Sequence, residues 1–119
     1  MIDKRILQLR ENLINNLHQQ WTVKGMAKIC EISMPHLQKL FKANTGMSPI
    51  MYLRNLRLEK ARELLVTTFK QIKEIRLEVG MINESHFTRD FKKKYGVTPT
   101  VYRKLSWAEI PTENSKKEK

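Results

Sequence analysis

One stretch of this chain is written twice. Residues 33–52 contain Ser33-Met34-Pro35-His36-Leu37-Gln38-Lys39-Leu40-Phe41-Lys42, then Gly46, Ser48-Pro49 and Tyr52. Residues 83–102 contain Asn83-Glu84-Ser85-His86-Phe87-Thr88-Arg89-Asp90-Phe91-Lys92, then Gly96, Thr98-Pro99 and Tyr102. His, Phe, Lys, Gly, Pro and Tyr recur at one offset, and Leu/Phe, Lys/Arg and Ser/Thr are conservative exchanges. A repeated unit constrains the fold strongly, because both copies must adopt one local structure and be held by what lies between them. With only four Gly and four Pro in 119 residues, a β-sandwich and a disordered chain are both disfavoured.

Apolar periodicity makes the chain all-α, with about seven helices. Ile6, Leu9, Leu13 and Leu17 predict an amphipathic helix over 3–19. Thr22 is an N-cap candidate for a short helix from Val23 to Cys30, with Val23, Ala27 and Ile29-Cys30 inward. Ser33 caps the next helix, to about Asn44, and Pro35 sits in its first turn, where no N–H is needed. Ser48-Pro49 starts a long helix to about Val66. A short helix over 71–79, one from Asn83 to about Lys94, and a last one from Thr98-Pro99 through Leu105 complete the set. The expected organisation is 1–47, N-terminal helix plus first helix-turn-helix; 48–67, linker helix; 68–106, second helix-turn-helix plus last helix; and 107–119, a flexible polar tail.

A short helix, a tight turn and a capped second helix occur at 22–44 and again at 71–94. That order is the helix-turn-helix, whose second helix enters the major groove of DNA. In the first unit Leu37, Leu40 and Phe41 form the apolar stripe. Lys39 lies about 200° from Leu37 and Phe41, with Pro35, Gln38 and Lys42 on its side. In the second, Phe87 and Phe91 face in while Arg89 points out beside Ser85, His86 and Lys92. The net charge of +11 and the isoelectric point near 10.0 favour a polyanionic partner. The linker helix places the two recognition helices about 34 Å apart, one turn of B-DNA, so one chain can reach two successive major grooves.

These residues closely resemble the DNA-binding domain of the AraC/XylS family of bacterial transcription regulators, over about residues 5 to 105. The resemblance rests on Ala27 to Phe41, Gly46 to Tyr52, Arg57 to Leu65 and Ile72 to Ile75. Its most specific part runs from His86 to Arg103. It implies double-stranded DNA as partner, promoter binding that recruits RNA polymerase or represses, and a bacterial cytoplasmic location. By position it implies base reading by Pro35, Gln38 and Lys39 in one recognition helix and by Ser85, His86 and Arg89 in the other. Gln pairs bidentately with adenine and Arg with guanine. Lys42, Lys92 and Lys93 are expected to contact phosphates. The chain is expected to bind as a monomer to an asymmetric site, unless it belongs to a larger dimeric protein. It is then either a stand-alone regulator or the output domain of a larger ligand- or phosphorylation-controlled one.

Three positions depart from the family pattern. Arg76 stands where Ala is usual, at the helix crossing of the second unit, and is expected to loosen that unit. Met81 replaces Phe. Glu31 occupies the turn position held by Gly80 in the second copy, with a left-handed backbone costing about 1 kcal/mol.

Catalysis and cofactors are not expected. Neither His36 nor His86 has an i+4 partner for zinc, Cys30 stands alone as a small buried hydrophobe, and no phosphate loop or nucleophile elbow is present. DNA-repair methyltransferases with a similar helical domain need a cysteine cluster that is absent here. No apolar run approaches the roughly 18 residues of a membrane span. A single-stranded RNA module is disfavoured because Phe41, Phe87 and Phe91 lie on core stripes and leave no outward stacking platform.

Overall fold

The computed structural model describes residues 2–109, which form seven helices and no strand. They are α1 (Lys4–Asn15), α2 (Val23–Cys30), α3 (Met34–Thr45), α4 (Pro49–Thr67), α5 (Ile72–Glu78), α6 (Glu84–Tyr95) and α7 (Pro99–Glu109). Local chemistry sets their starts. The side chains of Thr22, Ser33, Ser48 and Asn83 accept from the N–H of Gly25, His36, Met51 and His86, filling donors that the first helical turn leaves unpaired. Gly46 and Gly96 end the two recognition helices in the left-handed region, at φ 79° and 84°.

Two hydrophobic cores form, and α4 belongs to both. Ile6, Leu9, Leu13, Met26, Leu37 and Phe41 close the first with Leu53 of α4. Leu58, Ala61, Leu64 and Leu65 of α4 close the second with Ile75, Val79, Phe87 and Phe91. Tyr52 adds an edge-on contact to Phe41, and Tyr102 does the same to Phe91, at 5.1 and 5.6 Å between ring centres. The repeat is thus a repeat of packing. Because one helix carries side chains into both cores, the units cannot turn independently without bending it. The molecule is elongated, 60 × 32 × 22 Å.

Several sequence expectations need correction. The first helix stops at Asn15 rather than 19, because Asn16 leaves helical geometry and its carbonyl takes the Trp21 indole N–H at 2.9 Å. Ile29 points outward at 45% exposure, and Met26 fills the inward position. The last helix continues past Leu105 to Glu109, since Trp107 docks back on the linker and donates to the Val66 carbonyl at 3.1 Å. Residues 107–109 of the expected tail are therefore helical, and residues 110–119 of it lie outside the described residues.

Candidate nucleic-acid interface

The two outward faces are built alike. Pro35, Gln38, Lys39 and Lys42 are all exposed on α3, opposite the buried Leu37 and Phe41. Ser85, His86, Arg89, Lys92 and Lys93 are all exposed on α6, opposite the buried Phe87 and Phe91. Each helix brings its own group of residues to one surface. Among the described residues, Lys39, Lys42, Lys92 and Lys93 make no ion pair. Their charge is therefore available to an anion. Arg89 is 66% exposed and touches one carboxylate, that of Asp90, at 3.3 Å.

The turns that aim these helices differ. In the first unit Glu31 adopts φ 57°, the left-handed backbone expected at that position, and its N–H reaches the carbonyls of Ala27 and Lys28. Glu31 is exposed, so its side chain meets no obstacle. In the second unit Gly80 adopts φ 83° and is buried. Arg76 does not loosen this unit. It is 7% exposed, and its guanidinium donates through Nη1 to the carbonyl of Met81, at 3.1 Å, and to that of Ile82. A buried cation is tolerable when backbone oxygens receive it. Ile75 and Phe87 remain fully buried around it, so the crossing is closed.

Four side chains that set the geometry carry no signal in the local sequence. Arg57 of α4 donates to the carbonyls of Leu17 and Gln19, at 3.0 and 2.7 Å, and so ties the linker to the segment after α1. Burial pushes its guanidinium below the usual arginine range. Arg103 of α7 donates to Leu65 and Thr68, at 2.9 and 3.2 Å, and its guanidinium lies 5.0 Å from the Trp107 ring centre. Asp90 of α6 pairs with Arg54 of α4 at 3.7 Å. Apart from the Arg103–Trp107 stacking, these contacts join residues far apart in sequence, and no local pattern announces them.

Comparison with known proteins agrees with this architecture. A family model described as a helix-turn-helix domain matches residues 26–105. The lactose operon transcription activator of Staphylococcus xylosus is 36% identical over 98 residues, covering 82% of this chain and 35% of that protein. The chain belongs to the AraC-type helix-turn-helix family. AraC-type domains of this kind are the DNA-binding parts of transcription regulators. The C-terminal domain of AraT, a response regulator from Geobacillus stearothermophilus, superimposes with a TM-score of 0.83 at 30% identity, over 94% of this chain and 91% of that domain. The DNA-binding domain of AdpA, solved in complex with a target DNA, shares the fold with a TM-score of 0.88 at 23% identity, over 92% and 99% of the two chains. The chain spans about a third to a half of the length of the first curated relatives it matches. No helix among the described residues is long and apolar enough to cross a membrane.

Proposed function

We propose that this AraC-type domain binds an asymmetric duplex site as a monomer, with α3 and α6 in two successive major grooves. The observation that carries this reading is the sharing of α4 between both cores, with an exposed polar and cationic face on each recognition helix. At 19 residues α4 is about 28 Å long at about 1.5 Å per residue. A helix of that length can hold the two recognition helices about one turn of B-DNA apart, roughly 34 Å. Pro35, Gln38 and Lys39 then read one half-site, and Ser85, His86 and Arg89 the other. The triplets differ, so the half-sites differ. Lys42, Lys92 and Lys93 hold phosphates.

The downstream event is promoter activation by recruitment of RNA polymerase, a reading supported by the likeness to the lactose operon transcription activator. The likeness to the C-terminal domain of a response regulator supports a second reading of control, in which the chain is the output domain of a larger regulator. The mass of the native protein on an immunoblot separates this from a stand-alone regulator.

Binding geometry is tested by selecting a site from random duplexes and inserting about five base pairs between its half-sites, half a turn of B-DNA. Two-point binding should be abolished, and sedimentation should give one chain per site. A palindromic site holding two chains, or full affinity after the insertion, would overturn the proposal.

A further inference from the structure

An aspartate on a recognition helix needs a reason. Asp90 lies in a chain of net charge +11, next to the exposed Arg89 on α6. A free carboxylate there would repel the phosphates that the neighbouring lysines attract. Asp90 is not free. Its side chain is 14% exposed; Oδ1 accepts from Nε of Arg89 at 3.3 Å, and Oδ2 forms an ion pair with Nε of Arg54 at 3.7 Å.

We propose that Asp90 is a positioning residue for sequence readout: it grips Arg89 by Nε, anchored from behind by Arg54, and so presents the end of the guanidinium to the DNA. Arginine has five N–H donors, and the Nε contact uses the one nearest the chain. The two terminal amino groups stay available, in the fork that matches the O6 and N7 acceptors of guanine. A long side chain already held in its binding geometry loses less freedom when it docks. Arg54 adds a second effect. It belongs to α4, so Arg89 is registered against the same helix that carries the first unit.

The first copy of the repeat supports this assignment. Lys39 stands at the position of Arg89, and Leu40 at the position of Asp90. An ammonium group is a compact charge with freely rotating donors and needs no fixed plane, whereas a guanidinium works only when its plane is aimed. The carboxylate occurs in the copy that has the arginine and is missing from the copy that has the lysine.

The proposal rests on Arg89 reading a base, and the experiment separates the two ideas. The full chain and its Arg89→Ala, Asp90→Ala and Asp90→Asn variants are each used to select from one randomised duplex library. Affinities are then measured for the preferred duplex and for single base-pair changes. Arg89→Ala should erase the preference at one base pair. Asp90→Ala should reduce the preference at that same pair by about five- to tenfold, leave the other positions unchanged, and tighten binding to random duplex. Asp90→Asn, which keeps shape but not charge, checks the result should the alanine variant melt early. Full preference at that pair in both Asp90 variants would overturn the proposal, as would an even loss at every position, which a merely structural role produces. If Arg89→Ala leaves every preference intact, base reading by Arg89 fails and the role of Asp90 falls with it.

Discussion

Gly80 faces the carbonyl of Leu17 so closely that a β-carbon on Gly80 would lie 2.3 Å from that oxygen. The same oxygen accepts the Nε–H of Arg57 at 3.0 Å. One backbone carbonyl after α1 is therefore met by the turn of the second helix-turn-helix and by the linker helix. Here the second unit touches the first without α4 between them. It gives the pair of recognition helices a fixed relation that α4 alone, free to bend, would hold less firmly.

Replacing Gly80 by Ala should show how much the junction matters. The left-handed backbone and the steric overlap act together, for a loss of about 2–4 kcal/mol. Gly46 and Gly96 share the backbone conformation, yet a β-carbon on either would meet nothing within 4 Å. Their Ala variants should lose only about 1–2 kcal/mol, the conformational part alone. Urea unfolding of the three variants measures the difference. Equal losses would mean that the Leu17 contact relaxes without resistance.

What could be read from the sequence was local. Ser33 and Asn83 as caps, Gly46 and Gly96 as stops, and Phe87 and Phe91 as a stripe all follow from spacing within one turn or two. So did the outward positions of Gln38, Lys39, His86 and Arg89. What could not be read was the tie between distant elements. Arg57 lies 40 residues from the carbonyl of Leu17, and Trp107 lies 41 from that of Val66. A side chain donating to a distant backbone oxygen leaves no periodic trace. The resemblance covered Arg57 and Arg103 without saying what they hold. Arg76 misled for the same reason: a family pattern of small residues says that space is tight, not that two carbonyls wait there for a cation.

Glu31 offers an opposite test. At φ 57° it keeps a conformation that glycine enters freely, and its exposed side chain leaves nothing behind when removed. Glu31→Gly should stabilise the first unit by up to about 1 kcal/mol. The thermal midpoint should rise, with base preferences unchanged. A lower midpoint would show that the chain entropy added by glycine outweighs the backbone relief.

Arg76→Ala should destabilise the protein, although alanine is the usual residue at that position in the family. Removing the guanidinium leaves the Met81 and Ile82 carbonyls without their donor and opens space beside Phe87, for a loss of about 1.5–3 kcal/mol. Lysine should recover only part of this, because its side chain is shorter and its strongly hydrated ammonium is costlier to bury than a guanidinium. Denaturant melts of both variants give the values. A more stable Ala variant would mean that the carbonyls find other donors once the turn closes.

Lys92 and Arg89 lie on one exposed face of α6, three residues apart, and should behave differently on DNA. A lysine that neutralises a phosphate releases a counterion whatever the base sequence. Lys92→Ala should therefore weaken the preferred duplex and random duplex by the same factor, and lower the slope of log affinity against log salt by about one. Arg89→Ala should weaken the preferred duplex by about 1–3 kcal/mol and random duplex far less. Titrations over a range of salt on both duplexes make the comparison. If Lys92→Ala left the slope intact, its ammonium would face solvent in the complex. If the two variants lost affinity equally on both duplexes, Arg89 would be another phosphate contact, and the specificity of the second half-site would have to come from Ser85 and His86.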